Sequence, residues 1–211
     1  MRGDVMKLRA IIGIALVSAA LAACNMETTP DPTLNGKDRE FMSLAPSGQP
    51  PGDYRRYIVD DPTGQPAGTI TIDTFKNFLY YSLPNHKAIR YGVATGNEAS
   101  GWTGEATIGK MAEWPHWMPP SDMLERWPHL RPTAEAGGLP GGPDNPLGAR
   151  AMYLFQGSKD TMYRIHGTNE PELIGQHVSS GCIRMRDIDA IDLYNRVHLG
   201  TKVIVTDRPV T

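Results

Sequence analysis

From about residue 54 to the end of the chain, short β-prone runs recur between turn signals, and this spacing constrains the fold more than any other feature. The runs cover residues 56–59, 68–72, 78–82, 88–94, 151–155, 163–166 and 202–206. Several short strands punctuated this way predict a mainly β domain, sandwich- or barrel-like. The 22 glycines and 18 prolines suit short strands joined by many turns. Two stretches cannot be regular structure: Trp114-Pro115-His116-Trp117-Met118-Pro119-Pro120, and residues 137–146 with their Gly-Gly and Pro-Gly-Gly turns. Long irregular loops in a compact domain tend to be binding loops or lids. One helix is expected over 187–196, with Asp187 as its N-cap, Ile188, Ile191 and Tyr194 at helical spacing, and Gly200 beyond its end.

The front of the chain reads differently. Lys7 and Arg9 form a positive region, residues 10–20 are apolar, and Leu21-Ala22-Ala23-Cys24 puts small residues before a cysteine. Leu-Ala-Ala-Cys resembles the lipobox of bacterial lipoproteins, so residues 1–24 are expected to be a lipoprotein signal peptide, with Cys24 lipidated; a plain signal peptide cut nearby is the alternative. Met6 would begin a cleaner signal than Met1, because Asp4 sits awkwardly in a positive region. Lipid on one terminus holds a soluble domain at a membrane without a spanning helix. By analogy with such lipoproteins, Asn25 rather than Asp after the cysteine favours the outer membrane, so the protein is expected to be exported, periplasmic and lipid-anchored. Residues 25–52, rich in Pro, Thr, Ser and Gly, are expected to be a flexible linker, and 53–211 the folded domain. A formal net charge of −2, spread over 211 residues, leaves no clustered basic surface for nucleic acid.

The chain has two cysteines. If Cys24 carries lipid, Cys182 has no partner in an oxidising compartment and is either a buried small hydrophobe or a reactive group. A strand ending in Tyr163-Arg164-Ile165-His166 precedes it, and a cysteine works as thiolate only with a base in reach. His166 is the best-placed candidate base. Ser179, Ser180 and Gly181 allow a tight turn whose backbone N–H groups could face an oxyanion. Arg184 shares a face with Cys182 in an extended segment, to hold a substrate carboxylate or to brace the loop. Tyr153 reads as packing before substrate contact. Trp114 and Trp117 could line a groove or form a loop's own core.

His166-Gly167-Thr168 followed by Ser179-Ser180-Gly181-Cys182-Ile183-Arg184-Met185 resembles the signature of the L,D-transpeptidase (YkuD-type) family. The likeness covers most of the chain from about Tyr54 to Thr206, including Glu113-Trp114-Pro115-His116-Trp117, Asn145-Pro146-Leu147-Gly148-Ala149-Arg150-Ala151-Met152-Tyr153-Leu154 and Gly200-Thr201-Lys202-Val203. It implies a β-rich catalytic domain in which Cys182 attacks a peptidoglycan stem peptide, releases D-alanine and forms a thioester. An amine of another stem then resolves it into a 3→3 cross-link, or a lysine of an envelope protein does so. The resemblance gives His166 the role of base and acid, oriented by a backbone carbonyl such as that of Gly167. It implies no metal or nucleotide cofactor. The family often has histidine where this chain has Ser180, so any proton handling there must be absent or fall to a hydroxyl.

Three rival readings stay open from sequence. An L,D-carboxypeptidase or hydrolase would share the fold, a wall-binding lipoprotein would lack the chemistry, and a zinc peptidase would use His166, His177 and Cys182 as ligands.

Overall fold

A computed structural model describes residues 27–46, 48–96, 101–179 and 181–210. The expected signal peptide with Cys24, and Ser180, lie outside the described residues. The chain runs β1 (Glu27–Thr28), α1 (Gly36–Leu44), β2 (Tyr57–Asp60), β3 (Ile70–Asp73), β4 (Phe78–Leu83), β5 (Lys87–Gly92), β6 (Thr95–Gly96) and β7 (Gly104–Glu113). Two short helices follow, α2 (Ser121–Arg126) and α3 (Arg131–Glu135), then β8 (Arg150–Gln156), β9 (Lys159–His166), β10 (His177–Ser179), β11 (Ile183–Arg184), α4 (Asp187–Tyr194) and β12 (Lys202–Thr206). The expected mainly β domain is what the structure shows: among the described residues, ten strands form one sheet in the order β1-β2-β5-β4-β3-β12-β7-β8-β9-β11. Each of the seven β-prone runs lies in or overlaps a strand.

The sheet curls on itself, as large twisted sheets do. Its last strand reaches the chain leaving β5, where Ala94 and Arg184 exchange two backbone hydrogen bonds of 2.9 Å each. The enclosed core is built from alternate residues of many strands, including Ile70, Ile72, Leu79, Tyr91, Ile108, Leu154, Ile165, Ile183 and Val203. α4 closes one end with Ala190 and Leu193 in this core, while Ile191 joins a second cluster with Trp114 and Ala149. Hairpins follow their turn residues: Gly157 and Ser158 join β8 to β9 in two residues, with Gly157 at φ +60, a conformation that favours glycine.

Strand β7 departs from the sequence reading, which left 104–113 unassigned. Its Gly, Glu, Ala and Lys content is poor for β structure, yet it is paired on both edges, with β12 and β8. Gly109 explains part of this: the register shifts between Ile108 and Lys110, and a side chain at 109 would collide with the Phe155 ring.

The expected flexible linker over 25–52 also differs in its described part. β1 pairs with β2, and α1 lies on the domain with Phe41 edge-on to Trp114 at 4.9 Å between ring centroids. The Asp38 carboxylate accepts from both terminal nitrogens of buried Arg150, at 2.9 and 2.7 Å, and from the Trp114 indole N–H at 2.8 Å. Nothing in the sequence marks Asp38 for this role, because its partner is 112 residues away. Burial pushes the Asp38 carboxyl up, but the hydrogen bonds from Arg150 and Trp114 outweigh it and the pKa is lowered. This contribution to stability is present above the ordinary carboxylate range and is lost as pH falls through the depressed folded value. Asp38→Ala leaves the Arg150 guanidinium buried without its carboxylate and should cost about 3–5 kcal/mol. Urea unfolding measures this, and an unchanged midpoint would mean that α1 does not dock.

Candidate active site

His166 ends β9, and Cys182 stands one residue before β11, which runs parallel to β9 with Ile183 beside Ile165 and Arg184 beside His166. Ile165 and Ile183 point into the core, so alternation turns His166, Arg164, Arg184 and Cys182 to the opposite face. The same register sets Cys182 next to Arg164, whose backbone N–H is hydrogen bonded to the cysteine sulfur. On the far side of β9, Tyr153 sits opposite Arg164 and its ring lies 4.5 Å from the guanidinium carbon. Asp160 grips the same guanidinium at 2.7 and 2.9 Å. Arg164 is thus a fixed cation in the floor beside the sulfur, and Tyr153 braces it.

The segment before the cysteine is held by Ser179. Its hydroxyl donates to the Cys182 carbonyl at 2.6 Å and accepts from Gly181 N–H at 3.1 Å. Gly181 takes φ +123, which favours glycine there. The Gly181 N–H, read from sequence as an oxyanion donor, is therefore committed to Ser179 in this conformation, and Ser179 acts as the brace of the turn.

His166 is buried, at 5 % exposure, and its Nδ1 lies 2.6 Å from the Gly167 carbonyl oxygen. A carbonyl can only accept, so Nδ1 carries the proton and the neutral ring keeps its lone pair on Nε2. Burial above all, then the nearby Arg184 charge, lowers the His166 pKa to about 4; the bond to Gly167 works the other way and Arg164 lowers it further. Burial raises the Cys182 thiol, against the opposing pull of the Arg164 N–H and of the Arg164 and Arg184 charges. Near neutral pH the pair accordingly rests as thiol and imidazole. Among the described residues no hydrogen bond yet joins sulfur to ring, which suits a contact that tightens when substrate is bound.

The remaining candidates separate clearly. Arg184 forms an ion pair with Glu170 at 2.8 Å, so in this conformation it braces the loop after His166. His177 is engaged at both ring nitrogens, Nδ1 with Thr95 Oγ1 at 3.1 Å and Nε2 with Asn77 Nδ2 at 3.3 Å. The zinc reading needs His177 with His166 and Cys182, and the structure does not bring them together; among the described residues no three His, Cys, Asp or Glu side chains gather as a metal site. His177 and Phe75 line both of two surface cavities, of about 560 and 740 Å³; the described residues lining them do not include Cys182. Trp114 is buried with Ala149 and Ile191 under Phe41 of α1, so it is neither a groove wall nor the core of its own loop.

Asp187 is the principal correction. The N-cap of α4 is Arg186, with no side-chain cap, whereas the Asp187 carboxylate turns away and accepts from Ala149 N–H at 2.8 Å and Thr168 N–H at 3.1 Å. Sequence reasoning also missed Arg164, although its position two before His166 on a strand was a usable signal. Nothing in sequence links Asp187 to residues 148–168.

The mainly β fold is that of an L,D-transpeptidase: L,D-transpeptidase 3 of Mycobacterium tuberculosis superposes with TM-score 0.50 at 16% identity, over 65% of this chain and 60% of that one. The chain belongs to the YkuD family, whose L,D-transpeptidase catalytic domain model matches residues 67–205. It is 34% identical over 145 residues to the Salmonella typhimurium protein named "Probable L,D-transpeptidase ErfK/SrfK", across 69% of this chain and 40% of that protein. The chain thus matches less than half the length of that curated relative. A Brucella melitensis crystal structure, described as a probable carnitine operon oxidoreductase caia, is 47% identical, covering 78% of this chain and 97% of that one with TM-score 0.50. That description concerns the Brucella protein alone.

Proposed function

We propose that this protein is a cysteine L,D-transpeptidase acting on peptidoglycan stem peptides, with Cys182 as nucleophile and His166 as base and acid. The observation that carries the reading is the fixed tautomer: with Nδ1–H donated to Gly167, the free Nε2 lone pair belongs to the residue best placed to take the thiol proton. As the proton moves to Nε2, the sulfur attacks the carbonyl between the third and fourth stem residues. The C–N bond breaks, D-alanine leaves with that proton, and a thioester remains on Cys182. An incoming amine gives up a proton to Nε2, forms the new amide and expels the sulfur, which recovers the proton as thiol. The thioester keeps the acyl group activated, so no external energy source is required.

The acceptor amine is a diamino acid of another stem, giving a 3→3 cross-link, or a lysine of an envelope protein. The signal segment and Cys24 support export and a lipid anchor at the outer membrane. The test is mass analysis of the purified protein with a tetrapeptide stem. We expect a tripeptidyl adduct on Cys182 with D-alanine release, and on adding an amine a new amide product. Hydrolysis that outruns amine capture would make the protein a carboxypeptidase, and no adduct at all would leave a wall binder. Iodoacetamide should abolish the reaction and EDTA should spare it; the reverse pattern would favour the zinc reading.

A further inference from the structure

We propose that Asp187 is a positioning residue that acts on His166 through the peptide group joining Gly167 to Thr168. The proposal rests on the reading of His166 as the proton carrier. That one peptide group is bonded at both ends: its carbonyl accepts from His166 Nδ1–H at 2.6 Å, and its N–H donates to Asp187 Oδ1 at 3.1 Å. A carboxylate at the N–H end draws the peptide proton toward itself and enriches the carbonyl oxygen, and hydrogen bonds in such a chain strengthen one another in a low-dielectric interior. The imidazole is thereby held in one tautomer, and the positive charge that forms when it takes the thiol proton faces a peptide polarised by a full negative charge.

The local backbone is shaped for this approach. A side chain at Gly167 or at Gly148, which takes φ +60, would collide with the Asp187 oxygen. The carboxylate is buried, at 5 % exposure, and a second N–H, from Ala149, holds it at 2.8 Å. The charged group facing Asp187 is Arg150, already engaged by Asp38; those facing His166 are Arg184 and Arg164, which both oppose the imidazolium. Asp187 supplies a negative charge at the far end of the peptide group to which His166 donates. Burial raises its pKa to about 6, against the Ala149 and Thr168 N–H groups and Arg150. The relay therefore carries its charge above about pH 6 and loses it below.

Asp187→Asn tests this, since its amide oxygen can still accept from both backbone N–H groups while the charge is gone. In the wild type we expect the rate of acylation by a tetrapeptide stem to fall as pH drops through about 6. In the variant it should be about tenfold slower at neutral pH, with that limb abolished. A readout independent of activity is the His166 ring by nitrogen NMR. Its Nδ1 resonance, and the Thr168 amide, should step at the Asp187 midpoint in wild type, and His166 should show no such step in Asp187→Asn. A His166 resonance indifferent to Asp187 ionisation, or a variant that keeps the limb near pH 6, overturns the proposal. Should the variant not fold, the wild-type titration alone decides, and it does so even if the protein forms no acyl adduct.

Discussion

Cys182→Ala protein, mixed with a tetrapeptide stem, is expected to gain no mass and to release D-alanine at least about 10⁴-fold more slowly than wild type, the scale seen when a nucleophile is removed from a covalent catalyst. The reason is that Cys182 is the free thiol among the described residues. Arg164 and Arg184 carry charge but are bound to Asp160 and Glu170, and the His166 ring is buried and donates its Nδ1 proton to Gly167, which sets it up as a base. Removing the sulfur gives up its hydrogen bond from the Arg164 backbone N–H and no ion pair, so the thermal midpoint should stay close to wild type. Retained D-alanine release by a folded Cys182→Ala protein would sink the assignment of the nucleophile.

His166→Gln comes second in size. Loss of a positioned base should slow acylation by about 10²–10⁴-fold. The same substitution has a signature in stability. His166 is held neutral with its pKa lowered to about 4 from 6.5, so the folded state binds the proton less well than the unfolded chain does. The sign follows: this contribution to stability is intact above the unfolded pKa and is lost as pH falls toward the folded one, to a total of about 3 kcal/mol. Asp187 has the opposite sign, because its raised folded pKa favours the folded state below the ordinary carboxylate pKa and that gain disappears as pH rises through about 6. In the wild type the two slopes therefore oppose each other over about pH 4 to 6. Removing the histidine leaves the aspartate slope alone, and the variant should gain on wild type by about 3 kcal/mol on acidification from about pH 7.5 to 4. Denaturant unfolding at the two pH values measures this; a constant difference would mean that His166 titrates normally in the folded protein.

Much of this protein was determined by its sequence, for reasons that are local. β-prone runs bounded by turn residues became strands, because alternation and turn chemistry act over a few residues. The fit is close at Lys202–Thr206 and Phe78–Leu83. Cys182 and His166 were legible as candidates because a nucleophile would need a base and the small residues around them mark a tight backbone, and both fall in the stretch that resembles the family signature. What only the tertiary structure decided involves partners far apart in the chain. β7 is a strand because two neighbours pair with it, though its own residues argue weakly for one. Asp38 turns a segment that reads as linker into a docked helix, since a carboxylate is stabilised by a buried guanidinium wherever in the sequence that guanidinium lies. Asp187 shows the difference most clearly. Its place at the start of a helix suggested a cap, but the curled sheet brings two orphan N–H groups from other turns within reach, and the carboxylate serves those instead.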